Sequence, residues 1–189
     1  MRLSNNKAPQ VLGALLLLAL PVMGQRCSKS VRERRTIVVS IPDRKLAVIE
    51  EGKTIRTFPV AVGARVSPSP AGGFQVINRV TRPTYYHPGV VIPAGKDNPL
   101  GPRWIGLNKK GYGIHGTNEP RSIGKAASHG CIRLRNRDIK ELFEMVSVGD
   151  VVEIRTEMDQ ETAEIFAENP RTPAPAIAAA DLSVVAGGQ

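Results

Sequence analysis

Short apolar runs separated by turn residues dominate the hydrophobic pattern from residue 36 onward. The runs lie at residues 36–41, 46–50, 54–62, 74–80, 104–107, 111–114 and 151–154. They are rich in Val, Ile and Thr, and Pro, Gly, Asp or Asn residues bound them. Runs of this kind are typical of β-strands, and strands separated by two or three turn residues pair as antiparallel neighbours.

One segment has helical periodicity instead. Ile139, Leu142, Phe143 and Val146 are spaced i, i+3, i+4 and i+7, which places them on one buried face of a helix. Asn136 is the predicted N-cap residue of this helix. A second, short acidic helix is expected within residues 157–168. These elements predict a mainly β fold with one or two short helices and a single core over residues 36–156.

The two ends of the chain differ from this region in composition. Residues 1–24 combine two basic residues with an apolar run at 11–20, the pattern of a secretory signal peptide. That run is shorter than the roughly 20 residues of a membrane-spanning helix. We therefore expect a cleaved leader, and an uncleaved one would be the only membrane contact. Residues 25–35 are predicted to be a basic linker, and residues 157–189 a mostly disordered tail.

The chain is basic, with a formal net charge of +9. Part of this charge is concentrated in residues 28–35, where no aromatic residues are interleaved and no nucleic-acid-binding module is recognisable. We therefore predict no nucleic-acid partner. A solvated linker is the simplest interpretation of the basic run, and attraction to an anionic surface is the alternative.

Two of the three histidines and one cysteine lie in two short motifs, Ile-His-Gly-Thr at 114–117 and Ser-His-Gly-Cys at 128–131. A cysteine attacks as the thiolate, which is scarce at neutral pH unless a base accepts the proton. His115 or His129 could do so and leave a thiolate–imidazolium pair with Cys131. If residues 128–134 form an extended strand, His129 and Cys131 point to the same face.

Two neighbouring residues fit the same chemistry. Gly130 leaves the backbone bare, so a substrate carbonyl can approach and main-chain N–H groups can stabilise an oxyanion. Arg133 is a permanent cation suited to a carboxylate.

Other interpretations of the cysteine are a buried structural thiol and a His/His/Cys zinc site. The zinc site lacks a fourth obvious ligand, so we predict no metal and no cofactor. A disulfide to Cys27 would block the nucleophile, and we therefore expect Cys131 to be a free thiol.

The residues between 81 and 102 include five prolines and three glycines. This composition is typical of a long loop, and long loops in compact domains often cover binding sites. Tyr85 and Tyr86 are candidates for lining a cleft, whereas His87 is expected to have a surface or packing role.

Several motifs together resemble the L,D-transpeptidase catalytic domain of the YkuD/ErfK type. They are the residues at 115–118, Ser-Ile-Gly-Lys at 122–125, Ser-His-Gly-Cys-Ile-Arg-Leu at 128–134, the helix at 136–146 and Gly-Asp-Val-Val-Glu-Ile at 149–154. The resemblance covers about residues 35–156 and implies a YkuD-like β-sandwich with one or two short helices packed on it.

The resemblance also implies roles for individual residues. Cys131 would be the nucleophile, His115 the proton acceptor and donor, and His129 a supporting group. The candidate oxyanion and substrate-binding residues are Gly130, Ser128, Gly116, Thr117 and Arg133.

The implied reaction belongs to the cell wall. Cysteine attacks the carbonyl of diaminopimelate, or of another L-centre, in a peptidoglycan stem tetrapeptide, and the terminal D-Ala leaves. The acyl group then passes to an amine of a second stem peptide or of a wall-linked protein. We expect an exported monomer in the periplasm or cell wall. The alternatives are a carboxypeptidase or endopeptidase that hydrolyses the same thioester, and a non-catalytic cell-wall-binding protein.

Overall fold

The computed structural model describes residues 34–167. The predicted leader, Cys27, most of the basic linker and the end of the tail therefore lie outside the described residues. The strands are β1 (Thr36–Ser40), β2 (Lys45–Glu50), β3 (Lys53–Pro59), β4 (Val62–Gly63), β5 (Gly72–Thr81), β6 (Tyr85–His87), β7 (Val90–Ile92), β8 (Arg103–Leu107), β9 (Gly113–His115), β10 (Ala126–Ser128), β11 (Ile132–Arg133) and β12 (Val151–Arg155). The α-helices are α1 (Asn136–Met145) and α2 (Gln160–Ala167), and residues Pro120–Ser122 form a 3₁₀ turn.

Eight strands form one mixed sheet in the order β11-β9-β8-β5-β12-β1-β2-β3. β1 pairs with β12 in parallel, and β9 pairs with β11 in parallel. Val39, Leu46 and Val48 lie in the fully buried core that covers one face of the sheet. Ile139 and Leu142 of α1 complete this core, as the helical spacing predicted. The mainly β fold with short helices is thus confirmed.

The sheet curls until its two ends meet. The chain leaves β3 and reaches Ala61, which exchanges two backbone hydrogen bonds with Arg133 of β11, each of 2.9 Å. Next along the chain, β4 pairs with β10, whose last residue, Ser128, begins the Ser-His-Gly-Cys motif. The motif is therefore held between the ends of the sheet.

Three local expectations differ from the structure. The run at 54–62 is interrupted after Pro59 and resumes at Val62. Asn136 is the first residue of α1, and Arg135 occupies the N-cap position without a side-chain capping bond. The segment 128–134 is not one strand, because residues 129–131 form a bend between β10 and β11.

The second helix is where the acidic pattern predicted one. α2 lies near β2 and β3, and the Thr54 hydroxyl of β3 donates to the Ile165 carbonyl at 3.1 Å. Arg155, at the end of β12, contacts Glu161 of the same helix at 3.1 Å. Within residues 34–167, no helix is long and apolar enough to cross a membrane.

Candidate active site

A cleft of about 1050 Å³ opens beside the end of the sheet where β9 and β11 lie. It brings together Cys131 and all three histidines of the chain. Its lining residues are Val80, Arg82, Pro83, Thr84, Tyr85, Tyr86, His87, Pro99, Leu100, Trp104, Gly111, His115, Asn118, Glu119, Ser128, His129, Cys131 and Arg133.

His115 is the last residue of β9 and is only 4% exposed. Its Nδ1 lies 2.6 Å from the Gly116 carbonyl oxygen. Because a carbonyl oxygen can only accept, Nδ1 carries the proton and Nε2 is left as the basic nitrogen. Trp104, its cross-strand partner on β8, stacks on the imidazole with ring centroids 5.7 Å apart. The ring is thus fixed in both tautomer and orientation.

Burial also sets the charge of this histidine. It lowers the pKa of His115 to about 4, because desolvation disfavours the imidazolium. The hydrogen bond to Gly116 opposes this shift, and the positive charge of Arg133 adds to it. His115 is therefore neutral at pH 7.

Cys131 directly precedes β11, whose Ile132 and Arg133 pair with Ile114 and His115 of β9. The strand register therefore places the cysteine beside the start of β9. Its thiol donates to the Gly111 carbonyl at 3.5 Å. Burial raises the pKa of the Cys131 thiol, whereas the Gly113 backbone N–H and the charge of Arg133 lower it.

The directions of these two pKa shifts disagree with the thiolate–imidazolium pair expected from the sequence. A preformed thiolate–imidazolium pair needs a cysteine of low pKa and a histidine of high pKa. Desolvation moves both groups in the opposite directions. The structure therefore favours a neutral thiol and a neutral imidazole at rest.

The cysteine lies in a bend that Ser128 holds. The buried Ser128 hydroxyl donates to the Cys131 carbonyl at 2.5 Å and accepts the Gly130 N–H at 3.1 Å. Gly130 has φ +108°, and a Cβ there would lie 2.7 Å from the Tyr112 ring. Glycine is therefore required at this position. Because residues 129–131 form a bend and not a strand, the prediction that His129 and Cys131 share one strand face is wrong. Both side chains still line the cleft, with His129 exposed at its rim.

Gly116 and Thr117 lie behind the cleft rather than along its wall. The Thr117 N–H donates to Asn136 Oδ1 at 2.8 Å, and the Thr117 hydroxyl accepts the Glu119 N–H at 2.9 Å. A Cβ on Gly116 would lie 2.5 Å from the same Asn136 oxygen. The two residues thus shape the turn that holds His115.

Arg133 lines the cleft and already forms a salt bridge with Glu119. Its guanidinium is 3.1 Å from the Glu119 carboxylate, which is largely exposed. A substrate carboxylate would therefore compete with Glu119 for this arginine. The sequence did not indicate the roles of Glu119 and Trp104, and it predicted Asn136 only as an N-cap and not as the partner of Thr117. No motif or periodicity marks a contact that depends on a distant strand or turn.

The hairpin of β6 and β7 forms one wall of the cleft. Tyr85 and Tyr86, which the sequence offered only as candidates, line the cleft. His87 lies there too, and its ring stacks on Tyr85 with centroids 6.3 Å apart. Among residues 34–167, no group of three or more His, Cys, Asp or Glu side chains is arranged to hold a metal, and Cys131 is a free thiol.

Residues 34–154 match the family model of the YkuD L,D-transpeptidase catalytic domain. The chain belongs to this L,D-transpeptidase family. Among relatives, the protein named L,D-transpeptidase YkuD from Bacillus licheniformis is 42% identical over 118 residues, which are 62% of this chain and 64% of the relative. L,D-transpeptidase ErfK/SrfK from Escherichia coli is 36% identical over 137 residues, covering 64% of this chain and 44% of the relative.

Solved L,D-transpeptidases share the fold. A cysteine-to-serine mutant of the Enterococcus faecium L,D-transpeptidase has a TM-score of 0.56 at 26% identity, covering 65% of this chain and 50% of that one. The avibactam carbamoyl enzyme of Ldtfm has a TM-score of 0.57 at 27% identity, covering 67% and 50%. The match spans less than two thirds of each of these relatives' lengths.

Proposed function

We propose that this member of the L,D-transpeptidase family catalyses acyl transfer from peptidoglycan stem tetrapeptides, with Cys131 as the nucleophile. The observation that carries the proposal is the arrangement in the cleft. Neighbouring parallel strands bring a free thiol and a buried imidazole, with Nε2 as its basic nitrogen, to one cavity. The names of the relatives support the same reaction class.

The first half of the reaction forms a thioester. The Cys131 sulfur bonds to the carbonyl carbon before the terminal D-Ala, while its proton passes to Nε2 of His115. The tetrahedral intermediate then collapses, the C–N bond breaks, and His115 returns the proton to the departing amine of D-Ala. Since both groups are neutral at rest, proton transfer accompanies attack rather than preceding it.

The second half resolves the thioester. An acceptor amine attacks the same carbonyl, His115 takes the amine's proton, and the proton returns to sulfur as the C–S bond breaks. The products are a new amide and the regenerated thiol.

The oxyanion of both steps needs a hydrogen-bond donor beside the sulfur. The Gly130 N–H already donates to the Ser128 hydroxyl at 3.1 Å, and we therefore propose the Cys131 N–H as this donor. The sequence suggested main-chain N–H groups near Gly130 in general as oxyanion donors, and this proposal names one of them.

The proposed reaction also bears on the location and the partners of the protein. The substrate class implies that the protein acts where peptidoglycan lies, in the periplasm or cell wall, after export by residues 1–24. Its partners are stem peptides, and a wall-linked protein is a second acceptor to test. We propose that the protein is a monomer.

Intact-protein mass spectrometry with a disaccharide-tetrapeptide donor tests the nucleophile. We expect the wild-type protein to gain the donor mass minus D-Ala, and Cys131→Ala to gain nothing. A carbapenem should likewise add its mass only when Cys131 is intact. Acylation of Cys131→Ala would show that the nucleophile is another residue.

Alanine variants of His115 and His129 test which histidine is the catalytic base. His115→Ala should slow acylation by orders of magnitude, as expected when a catalytic base is removed. His129→Ala, at the exposed rim, should cause a smaller loss. Wild-type rates in His115→Ala would overturn its role. Muropeptide products then distinguish transfer, which creates a new amide, from hydrolysis of the same thioester.

A further inference from the structure

One wall of the cleft is a hairpin with little support of its own. Its two strands, β6 and β7, form a separate two-stranded sheet that is not hydrogen-bonded to the main sheet. An isolated two-stranded hairpin is marginally stable in water. The position of residues 84–92, here called the cleft hairpin, must therefore be set by contacts outside its own strands.

Asn98 supplies such contacts at the base of the cleft hairpin. Its Nδ2 lies 2.9 Å from the Pro83 carbonyl, at the start of the hairpin. The same nitrogen lies 3.1 Å from the Ile92 carbonyl and 3.2 Å from the Pro93 carbonyl, at its end. One side-chain amide thus joins both roots of the hairpin.

The amide has no alternative partner in water. Asn98 is 0% exposed, and its Oδ1 accepts the Leu100 N–H at 2.8 Å. A buried amide that loses its hydrogen bonds is costly, so the side chain is satisfied only when both hairpin roots are in place. Displacing either root of the hairpin would therefore break one or more of these hydrogen bonds.

The segment that carries Asn98 is also fixed to the histidine loop. Residues 95–101, here called the anchor turn, accept a hydrogen bond from Asn118 Nδ2 at the Asp97 carbonyl, with a distance of 3.1 Å. A Cβ on Gly101 would lie 2.7 Å from the Thr117 nitrogen and 2.8 Å from the Gly116 Cα. The anchor turn therefore packs directly on the residues that follow His115.

We infer that Asn98 is a positioning residue for substrate capture, which fixes the cleft hairpin in register with the His115 loop. It acts through Tyr85, Tyr86 and His87, which the hairpin presents to the cleft. The side chain touches neither the sulfur nor the imidazole, so it sets the population of the closed cleft wall rather than the chemical step. The inference rests on the proposed function, because its kinetic consequence is a change in donor binding.

Asn98→Asp tests the amide donors at nearly constant volume. A carboxylate has no N–H to offer the three carbonyl oxygens, so the hairpin should be released. When the binding-competent state is depopulated, apparent affinity falls by the same factor. We expect KM for the tetrapeptide donor to rise about tenfold and kcat to change by less than about twofold.

Hydrogen exchange gives a readout that does not require activity. Peptides covering the cleft hairpin should exchange faster in Asn98→Asp, while those of β1 and α1 keep wild-type protection. Alkylation of Cys131 by iodoacetamide, which is too small to need the hairpin, should not slow. Asn108→Ala is the matched control, since its Oδ1 accepts the Gln75 N–H at 3.0 Å, outside the lining of the cleft.

The possible results distinguish a failure of the Asn98 inference from a failure of the proposed function. Unchanged hairpin exchange, or an unchanged KM, in folded Asn98→Asp would overturn the inference. If that variant does not fold, Asn118→Ala replaces it and should speed exchange of the anchor turn, whereas wild-type protection there would overturn the inference. A wild-type protein that is never acylated would instead overturn the proposed function, while the exchange measurement would still test the anchor.

Discussion

At the scale of single residues, burial determines what His115 can do. One ring nitrogen is committed to the Gly116 carbonyl, and the ring is covered by Trp104. The imidazole therefore remains neutral, correctly oriented and able to accept a proton over a wide pH range. The motifs predicted that His115 and Cys131 share one site, and both line the same cleft. Their charge states could not be predicted, because burial depends on the folded surroundings.

The lowered pKa of His115 predicts a loss of stability in acid. Its folded pKa of about 4 lies below its unfolded value of 6.5, so the unfolded chain binds the extra proton between these values. The free energy of unfolding should therefore fall as pH decreases through this window, by at most about 3 kcal/mol from this group.

Denaturant unfolding across that window measures the effect. His115→Gln should lose this part of the pH dependence, because no imidazole remains to be protonated. His129→Gln, at the exposed rim of the cleft, should retain the wild-type slope. Equal slopes in wild type and His115→Gln would contradict the prediction.

At the scale of elements, α1 supports the site as well as the core. Its carboxyl-terminal carbonyls, those of Phe143 and Met145, accept N–H groups from Arg79 and Arg35, at the negative end of the helix dipole. Its first residue, Asn136, accepts the Thr117 N–H two residues after His115. The helix thus connects the packed core to the histidine turn.

Two substitutions at Asn136 separate the acceptor from the rest of the side chain. Asn136→Asp retains an oxygen for the Thr117 N–H and should acylate at close to the wild-type rate. Asn136→Ala leaves that N–H without its partner, which costs about 1–3 kcal/mol if water does not replace it. We expect slower acylation and lower thermal stability in the alanine variant, and equal behaviour of the two would exclude the acceptor role.

Local sequence patterns predicted the elements unevenly. The periodicity of residues 139–146 identified the buried face of α1, because those residues pack as the spacing requires. The strand expected at 128–134 is broken, since Gly130 adopts a left-handed conformation against Tyr112. The cleft hairpin was predicted only as loop, because the prolines and glycines around it obscure two strands of three residues each.

At the scale of the molecule, closure of the sheet joins residues far apart in sequence. Ala61 and Arg133 come from opposite ends of the strand order and pair through both backbone groups. This contact could not be predicted from the sequence, because no local pattern specifies which distant strands meet. The parallel pairing of β9 with β11, which brings histidine and cysteine to one cleft, depends on the same non-local order.

Ala61→Pro tests the closure. Proline has no N–H, so the Arg133 carbonyl would lose its partner, and the free energy of unfolding should fall by about 1–3 kcal/mol. Arg133 lies two residues after Cys131, so the alkylation rate of the thiol should change as well. Thermal unfolding and iodoacetamide kinetics measure the two effects, with Val66→Ala, 95% exposed, as the neutral control. Wild-type behaviour of Ala61→Pro in both assays would contradict a structural role for the closure.

The bonds on either side of β11 restrict how an incoming peptide can be recognised. Arg133 exchanges hydrogen bonds with Ala61 on one side, and the Leu134 N–H donates to the His115 carbonyl on the other. A donor or acceptor strand therefore finds no open main-chain edge there to extend, and β-augmentation is closed to it. For the proposed peptide substrates, selection should therefore depend more on the side chains that line the cleft, such as Tyr85, Tyr86 and Glu119, and changes of donor preference should map to them.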